Sequence, residues 1–132
     1  GNASNNPELV QIAGVENAVG TYVTTEPLPK DVDYPEARQF VADFEAKFNE
    51  PPASVWWMMS AEAFNVIRYA MEQTDSTDAA KLAEFLHKEA KDINGITGPI
   101  LGWDENGDRL GTIHLAYVID ETGALVVNSQ QP

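Results

Sequence analysis

The chain has 132 residues, of which 43% are hydrophobic and 22% charged, a balance typical of a folded globular domain. Its 21 acidic residues outnumber the 8 basic ones and give a net charge of −13, which argues against binding to nucleic-acid phosphates or to anionic lipid surfaces. No cysteine is present, which excludes disulfides and thiolate metal sites, and no apolar run approaches the roughly 20 residues of a membrane-spanning helix.

The N-terminal residues 1–7 are rich in turn formers and lack an initiating methionine, so we expect the chain to be a processed or excised piece of a longer protein. A short helical turn is predicted from Glu8 to Ala13, where Gly14 ends it. From Val19 to Thr25 the chain is rich in alternating β-branched and aromatic residues. This alternation predicts a first strand.

Three helices are predicted to follow this strand. The first runs from Pro35 to Asn49, because proline suits the first turn of a helix and phenylalanines then recur at helical spacing. The second is expected from Met58 to Gln73, and the third, after a turn that provides an N-cap, from Thr77 to Ala90. The side chains expected to hold these helices together are Phe40, Phe44, Phe64, Ile67, Leu82 and Phe85.

The second helix is the predicted core of the chain. One of its faces carries polar residues at spacings of three or four, namely Glu62, Asn65, Tyr69 and Glu72. The rest of its surface is apolar, which predicts a mostly buried helix. Trp56 and Trp57 follow the Pro51-Pro52 breaker, so both are expected in a loop at the helix entrance. Such a loop suits a ligand pocket, and either one indole lines that pocket or both rings belong to the core.

Beyond the third helix the hydrophobic period changes from helical to alternating. The alternating segments are Gly98–Trp103, Leu110–Ile119 and Ala124–Val127. Two β-hairpins are therefore predicted, the first with a two-residue turn at Asn106-Gly107 and the second with a longer turn at Asp120–Gly123. The predicted order is a strand, three helices and two hairpins, which is an α/β fold.

The segment Asp104–Asp108 has oxygen-bearing side chains at alternate positions, as a calcium-binding loop does. The pattern then fails, because Arg109 stands where such a loop needs glycine and Leu115 where it needs a bidentate glutamate. His87 and His114 have no partners at metal-ligand spacing. We therefore expect no metal, no cofactor and no catalytic residues.

Several segments, taken in order, resemble a known family. They are Ala18–Thr25, Phe40–Phe48, Ala61–Ala63, Gly95–Gly98, and Trp103–Asp104 with Gly107–Asp108. Together they resemble the type I substrate-binding proteins of bacterial amino-acid ABC transporters, the Leu/Ile/Val-binding class. The resemblance covers nearly the whole chain but only about the last third of a family member.

The resemblance implies part of a fold with two α/β lobes, joined by three crossings, that close on a ligand. Residues 1–22 would end the C-terminal lobe, residues 23–110 would complete the N-terminal lobe, and residues 111–132 would return as a hairpin of the C-terminal lobe. Hinge crossings would lie at Tyr22 with Val23 and at Leu110 with Gly111. The fold is incomplete without the N-terminal portion, so we expect that portion as a second chain or a swapped copy.

The implied ligand site contains Asn2, Trp56 and Trp57. In family members that bind α-amino acids, a carboxylate pairs with the ligand ammonium, and the resemblance places Asn2 at that position. An amide accepts a hydrogen bond but cannot neutralise a charge, so the expected ligand is either an amino acid or an aromatic or amide-type molecule. A further departure is Ala61, which stands where the family usually has an aromatic residue.

The function implied by the resemblance is that of an extracytoplasmic, periplasmic solute-binding protein. It would capture a small molecule by hinge closure and deliver it to an ABC permease, without catalysing a reaction. One alternative is a ligand-sensing domain of a receptor or regulator. Another is a small acidic enzyme that uses a pair of carboxylates. No nucleic-acid partner and no membrane insertion are expected.

Overall fold

The computed structural model describes residues 7–128. In chain order its elements are α1 (Pro7–Ala13), α2 (Val15–Ala18), β1 (Tyr22–Thr25), a 3-10 turn (Pro29–Asp31), α3 (Pro35–Phe48), α4 (Val55–Thr74), α5 (Ala79–Lys88), β2 (Ile93–Gly95), β3 (Gly98–Ile100), β4 (Gly102–Trp103), β5 (Arg109–Leu110), β6 (Leu115–Ile119) and β7 (Leu125–Val127).

These elements form two compact units. The first unit contains the described residues up to Glu26 together with those from His114 onward, and the second runs from Pro27 to Ile113. The chain therefore passes from the first unit to the second at Glu26–Pro27 and returns at Ile113–His114.

The first unit is built on an antiparallel sheet in the order β1-β6-β7. Val23 of β1 pairs with Tyr117 of β6, and both side chains are buried. Ile119, two residues beyond Tyr117, is buried as well, because alternate residues of a strand point to the same face. The alternation that predicted the first strand therefore gives this unit its core, although β1 begins at Tyr22 rather than at Val19.

The β6–β7 hairpin closes through a turn that Asp120 organises. Its Oδ1 accepts hydrogen bonds from the Thr122 hydroxyl at 2.6 Å, the Thr122 amide at 2.9 Å and the Ala124 amide at 3.0 Å. These bonds, the Thr122 hydroxyl first among them, lower the pKa of Asp120 from its ordinary value of 3.8. The longer turn predicted at Asp120–Gly123 lies at this place.

The helices of the second unit begin and end at residues suited to those positions. Pro35 opens α3, and Asn49 ends it in the left-handed conformation at φ 58°. The Ser54 hydroxyl accepts from the amide of the second residue of α4, and Asp78 accepts from the Lys81 amide at 3.0 Å at the start of α5. Local capping thus accounts for most of the helix boundaries.

One cluster of buried apolar side chains in this unit consists of Val32, Ala37, Met58 and Ile96, with Tyr34, Phe40 and Ala61 packed against it. Helix α4 also packs on α5, where the ring centroids of Tyr69 and Phe85 lie 5.9 Å apart. Leu82 of α5 is buried, in agreement with the prediction from its spacing.

The core predicted for α4 is wrong at two positions. Phe64 is 68% exposed and Ile67 is 48% exposed, whereas the opposite face of the helix, which carries Glu62, is buried. The face with Phe64 and Ile67 has no layer of described residues over it. The buried face accepts a carboxylate because the chain provides partners for it, as described below.

The strands also differ from their predictions. An unpredicted hairpin joins β2 to β3, and the strand predicted from Leu110 to Ile119 is broken between β5 and β6. The two-residue turn predicted at Asn106-Gly107 is wrong. Trp103 pairs with Arg109, and the turn between them is closed by a bond from the Gly107 amide to the Asp104 carbonyl at 3.0 Å. The longer turn places Gly107 at φ 86°, a conformation that favours glycine.

Candidate functional site

The two tryptophans predicted to lie at a ligand site are in the first turn of α4. The loop expected there is absent, because the helix already begins at Val55 and the Ser54 hydroxyl accepts from the Trp56 amide at 3.3 Å. Trp56 is 52% exposed and Trp57 is 54% exposed, so neither ring is a core aromatic within the described residues. Asn2, the third predicted ligand residue, lies outside the described residues.

Trp57 packs against the middle ring of a row of three phenylalanines on α3. Its ring centroid lies 5.6 Å from that of Phe44, which in turn lies 4.5 Å from Phe48 and 5.9 Å from Phe40 along α3. All these rings are tilted against one another, a favourable arrangement for aromatic pairs. The row fixes the position of the Trp57 indole while half of it remains open to solvent.

The first predicted hinge segment is the beginning of β1. Val23 is buried in the sheet opposite Tyr117, while Tyr22, opposite Val118, is 64% exposed. The segment lies shortly before the point at which the chain leaves the first unit.

The second predicted hinge segment follows β5. Leu110 is half exposed, and Gly111 has a φ of 87°. A Cβ at Gly111 would stand 2.8 Å from the Pro99 carbonyl oxygen and 2.9 Å from Leu101 Cγ. Both the backbone conformation and this close approach therefore require glycine here. The segment lies just before the return to the first unit.

A buried carboxylate on α4 was missed by sequence analysis. Glu62 is 6% exposed, and its Oε2 accepts from the Thr97 amide at 2.8 Å. Its Oε1 accepts from the Thr97 hydroxyl at 2.6 Å and from Arg109 Nη1. The carboxylate is thus neutralised and hydrogen-bonded, which is the condition for burying a charge.

Arg109 ties the same cluster to the β2–β3 hairpin. Its Nη1 donates to the Thr97 hydroxyl at 2.7 Å, and its Nη2 donates to the carbonyls of Gly98 at 2.8 Å and Pro99 at 3.3 Å. Arg109 Nε is buried with no hydrogen-bond partner among residues 7–128. One ion pair therefore connects α4, the β2–β3 turn and β5. The sequence placed Glu62 on the polar face of α4 and gave no signal that this face is buried.

A cavity of about 630 Å³ lies between α3, α4 and the β2–β3 hairpin. Its apolar lining includes Phe40, Tyr69 and Ile93, and its polar lining includes Gln39 and Asn65. The two tryptophans do not line this cavity. The two tryptophans and the cavity are therefore separate features of the second unit.

The Asp104 turn has internal partners for its carboxylate. Oδ1 of Asp104 accepts from the amides of Asn106 at 2.9 Å and Asp108 at 2.8 Å. These bonds, the one from Asp108 first, lower the pKa of Asp104 from its ordinary value of 3.8. Across residues 7–128, no group of three acidic or histidine side chains is placed to hold a metal ion.

None of the helices in the described part of the chain is long and apolar enough to cross a bilayer.

Comparison with known proteins identifies the family. A family model described as periplasmic binding protein matches residues 2–122, so the chain belongs to the periplasmic binding protein family. No curated protein matches the sequence.

Solved structures agree with this assignment. A leucine-binding protein, LivK from Thermotoga maritima, is similar over 93% of this chain and 33% of its own, with 30% identity and a TM-score of 0.77. LivJ from Streptococcus pneumoniae, a branched-chain amino acid transporter substrate-binding protein in complex with isoleucine, is similar over 93% and 34%, with 23% identity and a TM-score of 0.67.

A third similar structure is an ABC transporter solute-binding protein from R. palustris in complex with benzoate, with 18% identity, a TM-score of 0.65 and coverage of 89% of this chain and 31% of its own. The chain thus spans about a third of the length of each solved structure. Its fold is part of the type I periplasmic binding protein fold, as the resemblance implied.

Proposed function

We propose that the full-length protein is an extracytoplasmic solute-binding protein that captures a small molecule and delivers it to an ABC permease. The observation that carries this proposal is the match of residues 2–122 to the periplasmic binding protein family, together with 30% identity to a leucine-binding protein. In this proposal the protein does not alter its ligand chemically and acts only by binding and conformational change.

The mechanism is ligand-driven closure of two lobes. In this proposal residues 1–22 and 111–132 belong to the C-terminal lobe and residues 23–110 to the N-terminal lobe, and these boundaries lie four and three residues before those of the two compact units, at Glu26–Pro27 and Ile113–His114. Tyr22 with Val23 and Leu110 with Gly111 are the hinge segments. The glycine at 111 supports this assignment, because its φ of 87° is open to few other residues. A ligand that contacts both lobes shifts the equilibrium toward the closed form by its differential affinity.

The ligand is an amino acid or a small aromatic or amide-type molecule. The three similar structures are a leucine-binding protein and complexes with isoleucine and with benzoate, and their ligands support these two ligand classes. Trp56 and Trp57 offer half-exposed indoles at the start of α4, and a large rigid ring surface suits an apolar or aromatic ligand. In this proposal the uncharged side chain of Asn2 forms a hydrogen bond with the polar end of the ligand.

Completion of the fold belongs to the same proposal. The part of the fold that these residues do not provide comes from the N-terminal portion of the same protein as a second chain, or from a swapped copy.

Calorimetric titration of the protein encoded by its complete reading frame tests the proposal. The ligands are L-leucine, L-isoleucine, benzoate and benzamide. Saturable binding of one of them is expected, with replacement of Trp56 or Trp57 by alanine weakening it at least about tenfold, the loss typical of a buried aromatic contact. If none of the four ligands binds, the proposed ligand class is wrong.

Trp103 provides the matched control. It is the third tryptophan, it lies on β4, and Trp103→Phe removes an indole without touching the proposed site. This variant is expected to bind as the parent does. Equal weakening by all three tryptophan variants would show a general loss of structure and would remove Trp56 and Trp57 from the proposed site.

A further inference from the structure

Arg109 lies where three parts of the second unit meet. Its Nη1 donates to Glu62 of α4 and to the hydroxyl of Thr97 in the β2–β3 turn. Its Nη2 donates to the carbonyls of Gly98 and Pro99 on β3. The planar guanidinium can bind acceptors in two directions at once, which the single nitrogen of a lysine side chain does far less well.

The chain leaves the second unit directly after this arginine. We call residues 110–112 the exit segment, because the chain returns to the first unit just beyond them. The Leu110 carbonyl accepts from the Leu101 amide at 3.1 Å, and the Thr112 hydroxyl donates to the Arg109 carbonyl at 3.3 Å. These bonds attach the exit segment to Arg109 and to the residue that follows β3.

Gly111 brings the middle of the exit segment close to β3. A Cβ at this position would stand 2.8 Å from the Pro99 carbonyl oxygen, and the same carbonyl accepts from Arg109 Nη2 at 3.3 Å. The backbone of the exit segment and the guanidinium therefore meet at one carbonyl group. Loss of the guanidinium removes a donor from this group and loosens the surface on which the segment packs.

Glu62 connects this arrangement to the helix that carries the tryptophans. It follows Trp57 by five residues, a rise of about 8 Å along α4. The side chain of Glu62 is 8% exposed and that of Arg109 21% exposed, so water competes little for the hydrogen bonds between them. Arg109 thus fixes the exit segment relative to the first turn of α4.

We infer that Arg109 is a positioning residue for ligand-driven closure, because its guanidinium fixes the direction in which the exit segment leaves the second unit. The inference rests on the proposed function, in which the ligand contacts the two indoles and the exit segment contains the hinge residues Leu110 and Gly111. A fixed exit segment favours one closed arrangement. A loosened segment allows several, and the apparent affinity falls with the fraction that can hold the ligand.

The variant Arg109→Lys separates positioning from charge compensation. Its ammonium keeps a positive charge beside Glu62 but lacks the fork that reaches the β3 carbonyls as well. Arg68→Lys is the matched control, because it makes the same change in an exposed ion pair on α4.

Two quantities are measured in the protein encoded by its complete reading frame. The first is hydrogen exchange at the Leu101 amide without ligand, with the amides of α5 as the reference for opening of the whole unit. The second is the pair of association and dissociation rates for L-leucine, L-isoleucine, benzoate and benzamide.

Arg109→Lys is expected to raise the exchange rate of the Leu101 amide at least about tenfold, with no such rise in α5, because the exit segment opens locally. The dissociation rate of the bound ligand is expected to rise by at least about tenfold, and the association rate to stay within about threefold of the parent value. Arg68→Lys is expected to change none of these rates.

Parent-like exchange at Leu101 in Arg109→Lys would overturn the inference, since charge compensation would then be the whole role of Arg109. Faster exchange with an unchanged dissociation rate would overturn it too, because closure would not depend on the fixed segment. An equal rise in α5, or equal effects in Arg68→Lys, would show a general loss of structure and would also overturn it. If the parent binds none of the four ligands, the proposed ligand class is wrong, and the exchange rates alone decide whether Arg109 positions the exit segment.

Discussion

At the scale of single residues, the cluster of Glu62, Thr97 and Arg109 decides how the second unit is held together. Its members come from α4, the β2–β3 turn and β5, and the carboxylate has three hydrogen bonds from the other two residues. A buried charge of this kind contributes little net stability while its partners are present. Removing one partner is costly, because the remaining charge stays buried without compensation.

The variant Arg109→Met is therefore expected to destabilise the protein by about 3–5 kcal/mol in urea unfolding. Arg68→Met is the control. It breaks the Arg68–Glu72 pair, whose side chains are more than half exposed, and is expected to cost less than about 1 kcal/mol. Similar losses of unfolding free energy in the two variants would show that the Glu62–Arg109 pair contributes no more to stability than an exposed ion pair.

Asp104 gives a prediction about pH. Its pKa in the folded protein lies below the ordinary value of 3.8, because the ionised form accepts the amide bonds of its own turn. The stability that it contributes is therefore present above pH 3.8 and is lost as pH falls through the lower folded-state pKa.

The measurement is the difference in unfolding free energy between the parent and Asp104→Ala at a series of pH values. The difference is expected to be largest above pH 3.8 and to shrink at more acidic pH. Glu105→Gln, in the same turn, removes a charge without removing the Asp104 bonds. A pH-independent effect of Asp104→Ala would contradict the assignment.

At the scale of elements, α4 carries both buried core residues and the two tryptophans. Its buried side, called here its inner face, includes Val55, Met58 and Ala70, and its first turn carries Trp56 and Trp57. Met58 is the most informative inner-face residue, since it is fully buried at 0% exposure among Val32, Ala37 and Ile96.

The substitution Met58→Ala is expected to cost about 2–5 kcal/mol of unfolding free energy, the usual loss for a fully buried methionine. Met59→Ala removes the same atoms from a half-buried position one residue later and should cost less than half as much. Denaturant unfolding of the two variants in parallel measures the difference. If Met59→Ala costs as much as Met58→Ala, the orientation of α4 on its inner face is wrong.

At the scale of the whole molecule, the length of the chain limits what it can bind. It spans about a third of the solved structures that it resembles. Binding must offset the lost translational and rotational freedom of the ligand with contacts from both lobes. Half of those contacts come from polypeptide outside these residues under the proposed function.

The isolated 132-residue chain is therefore expected to bind the ligand of the full-length protein at least about a hundredfold more weakly, or not measurably. Calorimetry on the two proteins with the same ligand measures this ratio. Circular dichroism of the isolated chain provides the control, since the comparison requires that its helices have formed. Equal affinity in the two proteins would place the complete ligand site within these residues.

The surroundings of the two tryptophans were predictable only in part. The Pro51-Pro52 breaker correctly marked the region where α4 begins, and the exposure of both indoles is consistent with a role outside the core. The sequence could not show that the tryptophans lie within the helix, because the Ser54 cap extends it back to Val55. Their role as ligand residues, and that of Asn2, stays a prediction.

What the sequence alone determined was local. Proline and capping residues set the helix starts at Pro35 and after Asp78, alternation marked β1, and the order of short segments identified the family. Tertiary contacts determined which side of α4 is buried. Hydrophobic periodicity favoured the wrong side, because it does not include the hydrogen bonds and countercharges that distant residues provide. Glu62 is buried because Thr97 and Arg109, 35 and 47 residues further along the chain, provide its hydrogen bonds and its countercharge. Phe64, with no described layer over it, is left exposed.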